Sequence, residues 1–355
     1  MAMRISLADP RNRALQIMLQ TSDKWRTQRT VETFAEQARG LSEECATMAL
    51  RLLGHIELPP NRGKGGFDHA DVHLSSDRLY VAHTSNDGLD VLDVARDGYI
   101  ESIGGLTGVA GALVSEERNL VFTSNRGENT VSMFAPGAER DACKIPVGVK
   151  PNGLAFDAGR GTLIAANVGD ASIPNSTSVS VVDIARGERI AEIAVPGRTR
   201  WTIYDAKQET FFVNIAAPAL IIAIDARDPS KISRQFEIPA EGPHGLELDA
   251  ATGRLLCACD AGVLVAVDAT SGRVLGTVPL SGTPDVVFLN SNFGRLYVAI
   301  GDPGVIDVID IRAMRTQEVV PTEAGAHTLA IDRKRSKVYA FLPQTHRAAV
   351  YLDST

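Results

Sequence analysis

The 355 residues carry a net charge of −7, with 44% hydrophobic and 22% charged side chains and no run of Lys or Arg, so nucleic acid is not expected as a partner. No apolar stretch approaches the roughly 20 residues that a bilayer-spanning helix needs, and no basic segment followed by an apolar one opens the chain. A cytoplasmic location is expected, or a periplasmic one if a leader has been removed, and 31 glycines with few aromatics suit a turn-rich β protein.

Residues 1–53 read as a helical extension. Within 24–53, apolar side chains fall at Val31, Phe34, Ala38, Leu41, Cys45, Met48 and Leu52 in alternating steps of three and four, a heptad seam. Gly40 in its middle costs about 1 kcal/mol relative to Ala and would split it in two. A shorter helical piece is expected at 14–19. The seam fits a homodimer or protein-partner contact, or an amphipathic helix lying on its own domain. After it, His55-Ile56-Glu57-Leu58 alternates as a strand and has no strand partner nearby in sequence.

From residue 67 a unit of about forty residues recurs. Its clearest copy, 242–279, contains four short β runs: Leu246–Leu248, Leu255–Cys259, Val263–Val267 and Val274–Val278. The turn after the first run opens at His73, Ser115, Asp157, Asp205, Asp249, Asn290 and Asp332, at spacings of 42, 42, 48, 44, 41 and 42 residues. All but His73 are short polar residues that hydrogen-bond their own backbone and start turns. A second marker, an Asp closing the third run, recurs at Asp93, Asp183, Asp225, Asp268 and Asp310. One such unit cannot bury both of its faces, so the copies must stack, and four strands per forty residues stack radially.

The expected fold is therefore all-β: a seven-bladed propeller over 54–355. Its blades run at about 67–106, 107–148, 149–196, 197–240, 241–280, 281–321 and 322–352. The seventh lacks a fourth strand, and residues 54–58 are expected to supply it, closing the ring non-covalently. Gly169–Thr177 is expected as a surface loop. Cys45, Cys143, Cys257 and Cys259 are expected to be reduced and mostly buried.

The stretches LYVAHTSNDGLDVLD (79–93) and RLYVAIGDPGVIDVID (295–310), with the openings PNGLAFD (151–157) and PHGLELD (243–249), resemble the YVTN repeat of bacterial YncE-like propellers over about residues 56–352. That resemblance implies the seven-bladed fold and leaves function open, because ligand binding, redox partnership and surface adhesion all occur or have been suggested among such proteins.

The repeat register locates a candidate site. Five places before each turn opener stand Asp68, Ala110, Asn152, Arg200, His244, Asp285 and His327, expected at the mouth of the central channel. Closing the ring makes neighbours of His244, Asp285, His327 and Asp68, with His69, Asp71 and His83 close by. Imidazoles interleaved with carboxylates suit a divalent metal held by Asp68, His244, Asp285 and His327, or acid/base catalysis by His244, Asp285 and His327. They equally suit a solvated rim. Asn152 and Arg200 are placed to orient a carboxylate or other anion, with Trp201, His69 and His83 as further ligand contacts. Trp201 also fits packing between blades. Asn125, Asn167 and Asn214, near the ends of second strands, read first as turn residues. His69 and His73 lie too far apart on one strand, about 13 Å, to share a metal.

Phosphate loops, GxSxG, CxxC, CxxCH and HExxH are absent, so no nucleotide and no covalent haem is expected. The function expected is a propeller that binds a small ligand, an anion or a metal at the channel mouth, with a metal-assisted lactonase or lyase as the alternative and an outer-face scaffold as a third reading. That alternative rests on analogy with other propeller lactonases and lyases; the metal-bearing gluconolactonase-like sites use Glu/Asn/Asp sets, and the channel Glu is missing here.

Overall fold

The computed structural model describes residues 48–354. The helical pieces expected at 14–19 and through residue 47 lie outside the described residues. At the end of that segment the expectation is corrected: Leu50–Glu57 is already a strand. Leu50 and Ile56 are buried, whereas Leu52, assigned above to the helical seam, is 47% exposed. Pairing with a bare strand edge outweighs the local helical pattern here, as tertiary context commonly does.

Seven separate four-stranded antiparallel sheets follow one another along the chain. Their first strands are Phe67–His73, Val109–Ser115, Pro151–Asp157, Thr199–Asp205, Pro243–Asp249, Pro284–Asn290 and Thr328–Asp332. Each first strand packs against the first strand of the next blade, and the last packs against the first, so the ring is closed around a channel. The first-turn openers all end these strands and are buried. Asp205 Oδ1 accepts the amides of Lys207 and Gln208, and Asp332 Oδ1 accepts those of Lys334 and Arg335. His73 does the same work with its ring: Nδ1 accepts from the Ser76 amide at 3.2 Å.

The second and third strands are apolar along nearly their whole length because both faces of every blade are covered. Seven apolar clusters result, each shared by two adjoining blades. One joins Leu246, Leu255, Cys257 and Val265 of blade five to Phe212 and Ile221 of blade four. The fourth strands show one buried residue between exposed ones, as in Val274–Pro279. Gly169–Thr177 is a loop, exposed over residues 171–175.

The seventh blade is closed by Leu50–Glu57, which pairs antiparallel with Arg347–Asp353, Leu50 opposite Asp353 and Glu57 opposite Arg347. Around this joint, three buried tyrosines reach into the following blade. Tyr80 donates to Glu139 at 2.9 Å and Tyr339 to Asp97 at 2.9 Å, while Tyr297 donates to Asp353. A cation two residues before each tyrosine joins the same carboxylate: Arg78, Lys337 and Arg295.

A chain starting at residue 48 is expected to melt with the full-length protein. One starting at residue 58 exposes the edge of Arg347–Asp353 and is expected to melt at least 10 °C lower, or not to fold, by circular dichroism. Tyr297→Phe, which removes one buried hydrogen bond to a charged group, is expected to cost roughly 1.5–3 kcal/mol in urea unfolding.

Candidate functional site

The first strand of six blades is irregular where it enters the sheet: its pairing shifts between Phe67 and Ala70, Val109 and Gly111, Pro151 and Leu154, Thr199 and Thr202, Pro243 and Gly245, and Pro284 and Val287. An irregularity of this kind re-aims side chains out of the ladder. The positions it frees are the expected mouth residues and, in blades one, three, four and six, their immediate successors as well.

Blades also come unusually close here. A Cβ on Gly111, Gly153 or Gly245 would lie 2.5, 2.6 or 2.5 Å from the carbonyl oxygen of Asn152, Arg200 or Asp285 in the next blade. Two polar ties fix the same backbone. Ser124 Oγ donates to the Asn152 carbonyl at 2.7 Å, and Asn214 Nδ2 donates to the His244 carbonyl at 2.9 Å. Asn214 is thus a positioning residue for His244, beyond the turn role read from its sequence position. Asn125 and Asn167 instead bond to hydroxyls of their own blades.

At the upper face, formed by the loops leading into first strands, the mouth side chains divide into two linked groups. In one, His244 Nδ1 donates to Asp260 at 2.7 Å while Nε2 lies 3.2 Å from Asp285, and Arg200 reaches Asp260 at 3.2 Å. Burial alone would lower the His244 pKa, but Asp285 and then Asp260 raise it to about 9. Asp285 would be raised by burial; the charge of His244, with smaller pulls from His327 and His69, holds it well below the usual carboxylate range. In the other group, Asp68 pairs with Arg126 at 3.1 Å and with His69 at 3.3 Å, and Arg126 also donates to Asn152. His327 donates from Nδ1 to the Gly325 carbonyl at 2.7 Å.

Of the ring expected above, His244 and Asp285 are in direct contact, His327 is near enough for Asp285 to feel its charge, and Asp68 turns toward Arg126. His83 does not reach the channel. It is fully buried, bonded to Asp90 at 2.7 Å and Asn61 at 2.8 Å, and its ring packs on Phe67. Sequence reasoning missed Arg126 and Asp260, although both directly follow the last residue of a second strand, Asn125 and Cys259. It also missed Arg198, which precedes a first strand by one residue. Burial, then Arg200 and Arg126, lower the pKa of Arg198.

These donors do not fit a metal. Among the described residues no group of three or more His, Cys, Asp or Glu side chains is arranged to hold one. Both nitrogens of His244 are engaged within the protein, Nδ1 by Asp260 and Nε2 by Asp285 and Arg200.

Below the mouth the axis is crossed by Trp201 of blade four. Its ring lies 4.1 Å from that of His69 in blade one and edge-on to Phe288 of blade six, 6.4 Å between centroids. Under this layer a cavity of about 480 Å³ opens toward the lower face.

No family model matches the chain, and no curated protein matches it. Solved structures do. Hydrazine synthase from Kuenenia stuttgartiensis is 13% identical with a TM-score of 0.70, covering 80% of this chain and 95% of that one. The WD40 β-propeller domain of Doa1 is 12% identical with a TM-score of 0.70, covering 86% of this chain and 97% of that one. At this identity the likeness shows the fold, a β-propeller. Among the described residues no helix is long and apolar enough to cross a membrane.

His244 is expected to titrate near pH 9 by ring-resonance NMR, and its pKa to fall by a unit or more in Asp285→Asn. Because the folded pKa lies above the unfolded value of about 6.5, the stability that this proton contributes is complete below pH 6.5 and is lost as pH rises through 9. The wild type should therefore lose its margin over Asp285→Asn across that window.

Proposed function

We propose that this β-propeller is a binding module that takes a small oxyanion-bearing molecule, such as a carboxylate, at the upper channel mouth. The observation that carries the reading is the clustering of three guanidinium groups: Arg198 lies close enough to Arg200 and Arg126 for their charges to lower its pKa, and Arg126 also donates to Asn152. Arg126 and Arg200 are committed to Asp68 and Asp260, whereas among the described residues Arg198 has no carboxylate within ion-pair distance. With His244 protonated, four cations face three carboxylates, Asp68, Asp260 and Asp285, which leaves one positive charge for a ligand. The Nε atoms of Arg126 and Arg200 are buried and make no hydrogen bond. Guanidinium groups present paired donors that match an oxyanion in geometry as well as charge.

The metal-assisted lactonase or lyase draws no support from this arrangement, because among the described residues no three His, Cys, Asp or Glu side chains are grouped to hold a metal. The dimer or partner contact expected of the N-terminal seam concerns residues outside the described ones and forms no part of the proposal.

Calorimetric titration with succinate, citrate and inorganic phosphate tests the reading. At least one is expected to bind at a single site and to weaken with added salt. Arg198→Ala and Arg200→Ala are each expected to lower affinity about 10-fold or more, the scale of one hydrogen bond to a charged group. Absence of saturable binding, or equal affinity in Arg198→Ala, would refute it.

A further inference from the structure

The cavity under Trp201 differs from the mouth in shape and in sign. Two places before each turn opener stand Asp71, Leu113, Ala155, Ile203, Glu247, Phe288 and Ala330. Five are apolar, and the two acids both line the cavity. They are anchored alike. Asp71 accepts the amide of Val72 at 2.8 Å and that of Val114 in the next blade at 2.8 Å. Glu247 accepts that of Leu248 at 3.3 Å and is stabilised in its charged form by the amide of Leu289 in the next blade.

Charged and titratable groups face these two from every side of the cavity. Arg333 is the cation among the lining residues, Glu116 and Glu117 stand at the rim, and His69 closes the inner end. Burial lowers the pKa of His69 from its ordinary value. Four carboxylates thus oppose one guanidinium. The remaining wall is apolar or aromatic, with Trp201 above and Phe288 beside. Thr202 Oγ1, 4% exposed and among the lining residues, makes no hydrogen bond. A volume of about 480 Å³ is of the size that small ligands occupy.

We propose that this lower cavity is a second binding site, separate from the oxyanion site, for a small organic cation: a protonated amine carried on an apolar or aromatic body. Asp71 and Glu247 receive the ammonium group, Trp201 and Phe288 cover the body, and the ring faces add their own attraction for the charge. Hydrogen-bonding groups of the ligand are met by Thr202. The reading does not depend on the mouth, and either site can fail without the other.

Burial raises the carboxyl pKa of Asp71 to about 6 and of Glu247 to about 7, against the pull of Arg333. A bound cation favours the charged forms, so it expels protons. Affinity therefore increases with pH through 6 and 7.

Phenethylamine is the probe, with phenethyl alcohol and phenylacetate as its neutral and oppositely charged counterparts. By calorimetry on the full chain, the amine is expected to bind saturably at pH 8, at least 10-fold tighter than either counterpart and at least 10-fold tighter than at pH 5.5. Glu247→Gln and Asp71→Asn keep an acceptor for the backbone amides and are each expected to weaken the amine 10-fold or more while leaving oxyanion binding unchanged. Arg198→Ala should leave the amine unaffected. Proton release on binding, read in two buffers of different ionisation enthalpy, tests the site on the wild type alone. An amine no tighter than the alcohol, no proton release near pH 6.5, or full affinity in Glu247→Gln would overturn the proposal.

Discussion

A ring of sheets must be closed, and in this chain no covalent bond does it. Every blade buries both faces against neighbours, so a gap anywhere would leave two apolar faces in water, and the pairing of Leu50–Glu57 with Arg347–Asp353 is what prevents one. The tyrosine–carboxylate contacts are placed accordingly. Tyr297 ties blade six to seven, Tyr339 ties seven to one, and Tyr80 ties one to two, so each of the three junctions around the seam carries one, and Tyr204 makes a further such bond to Asp157 between blades four and three. A hydrogen bond to a carboxylate is directional as well as stabilising, so each of these bonds holds one blade in register with the next.

That fixed arrangement is what makes the channel chemically specific. Residues of blades one, four and six touch on the axis only if the intervening blades each contribute their rotation. The irregular entries of the first strands then deliver two adjacent side chains toward the mouth instead of one, which is how Arg200 and Trp201, consecutive in sequence, serve different levels. Arg200 meets His244 and Asp260 above, and Trp201 meets His69 and Phe288 below. The glycines at Gly111, Gly153 and Gly245 are the counterpart: where no side chain enters the axis, the backbone of the next blade does.

Much of this was legible from periodicity. The turn openers give the register because Asx-type turns require a short polar side chain at one place in each repeat, and the register then identifies the mouth residues by counting. What counting does not supply is direction. His83 stands two residues from the mouth loop in sequence terms yet turns into blade one, toward Asp90 and Asn61, because the end of a second strand faces a sheet and not the axis. Arg126 and Asp260 are reached only by adding a second register, the residue after each second strand. Glu247 sits in plain view beside His244 and escaped notice because a single acid in a strand reads as solvent-facing until the fold places a cavity against it. At the N-terminal end, the step pattern through Leu52 favoured a helix; the bare edge of the seventh blade, invisible to local pattern, decides otherwise from Leu50 onward.

The stacked rings of Trp201 and His69 have a topological meaning. A propeller is usually pictured as a disc with a hole; here aromatic rings from blades one, four and six meet across it, with the mouth groups on one side and the cavity on the other. Trp201 thereby belongs to both levels of the channel: it follows Arg200 of the mouth in the chain, and its own ring lines the cavity beneath.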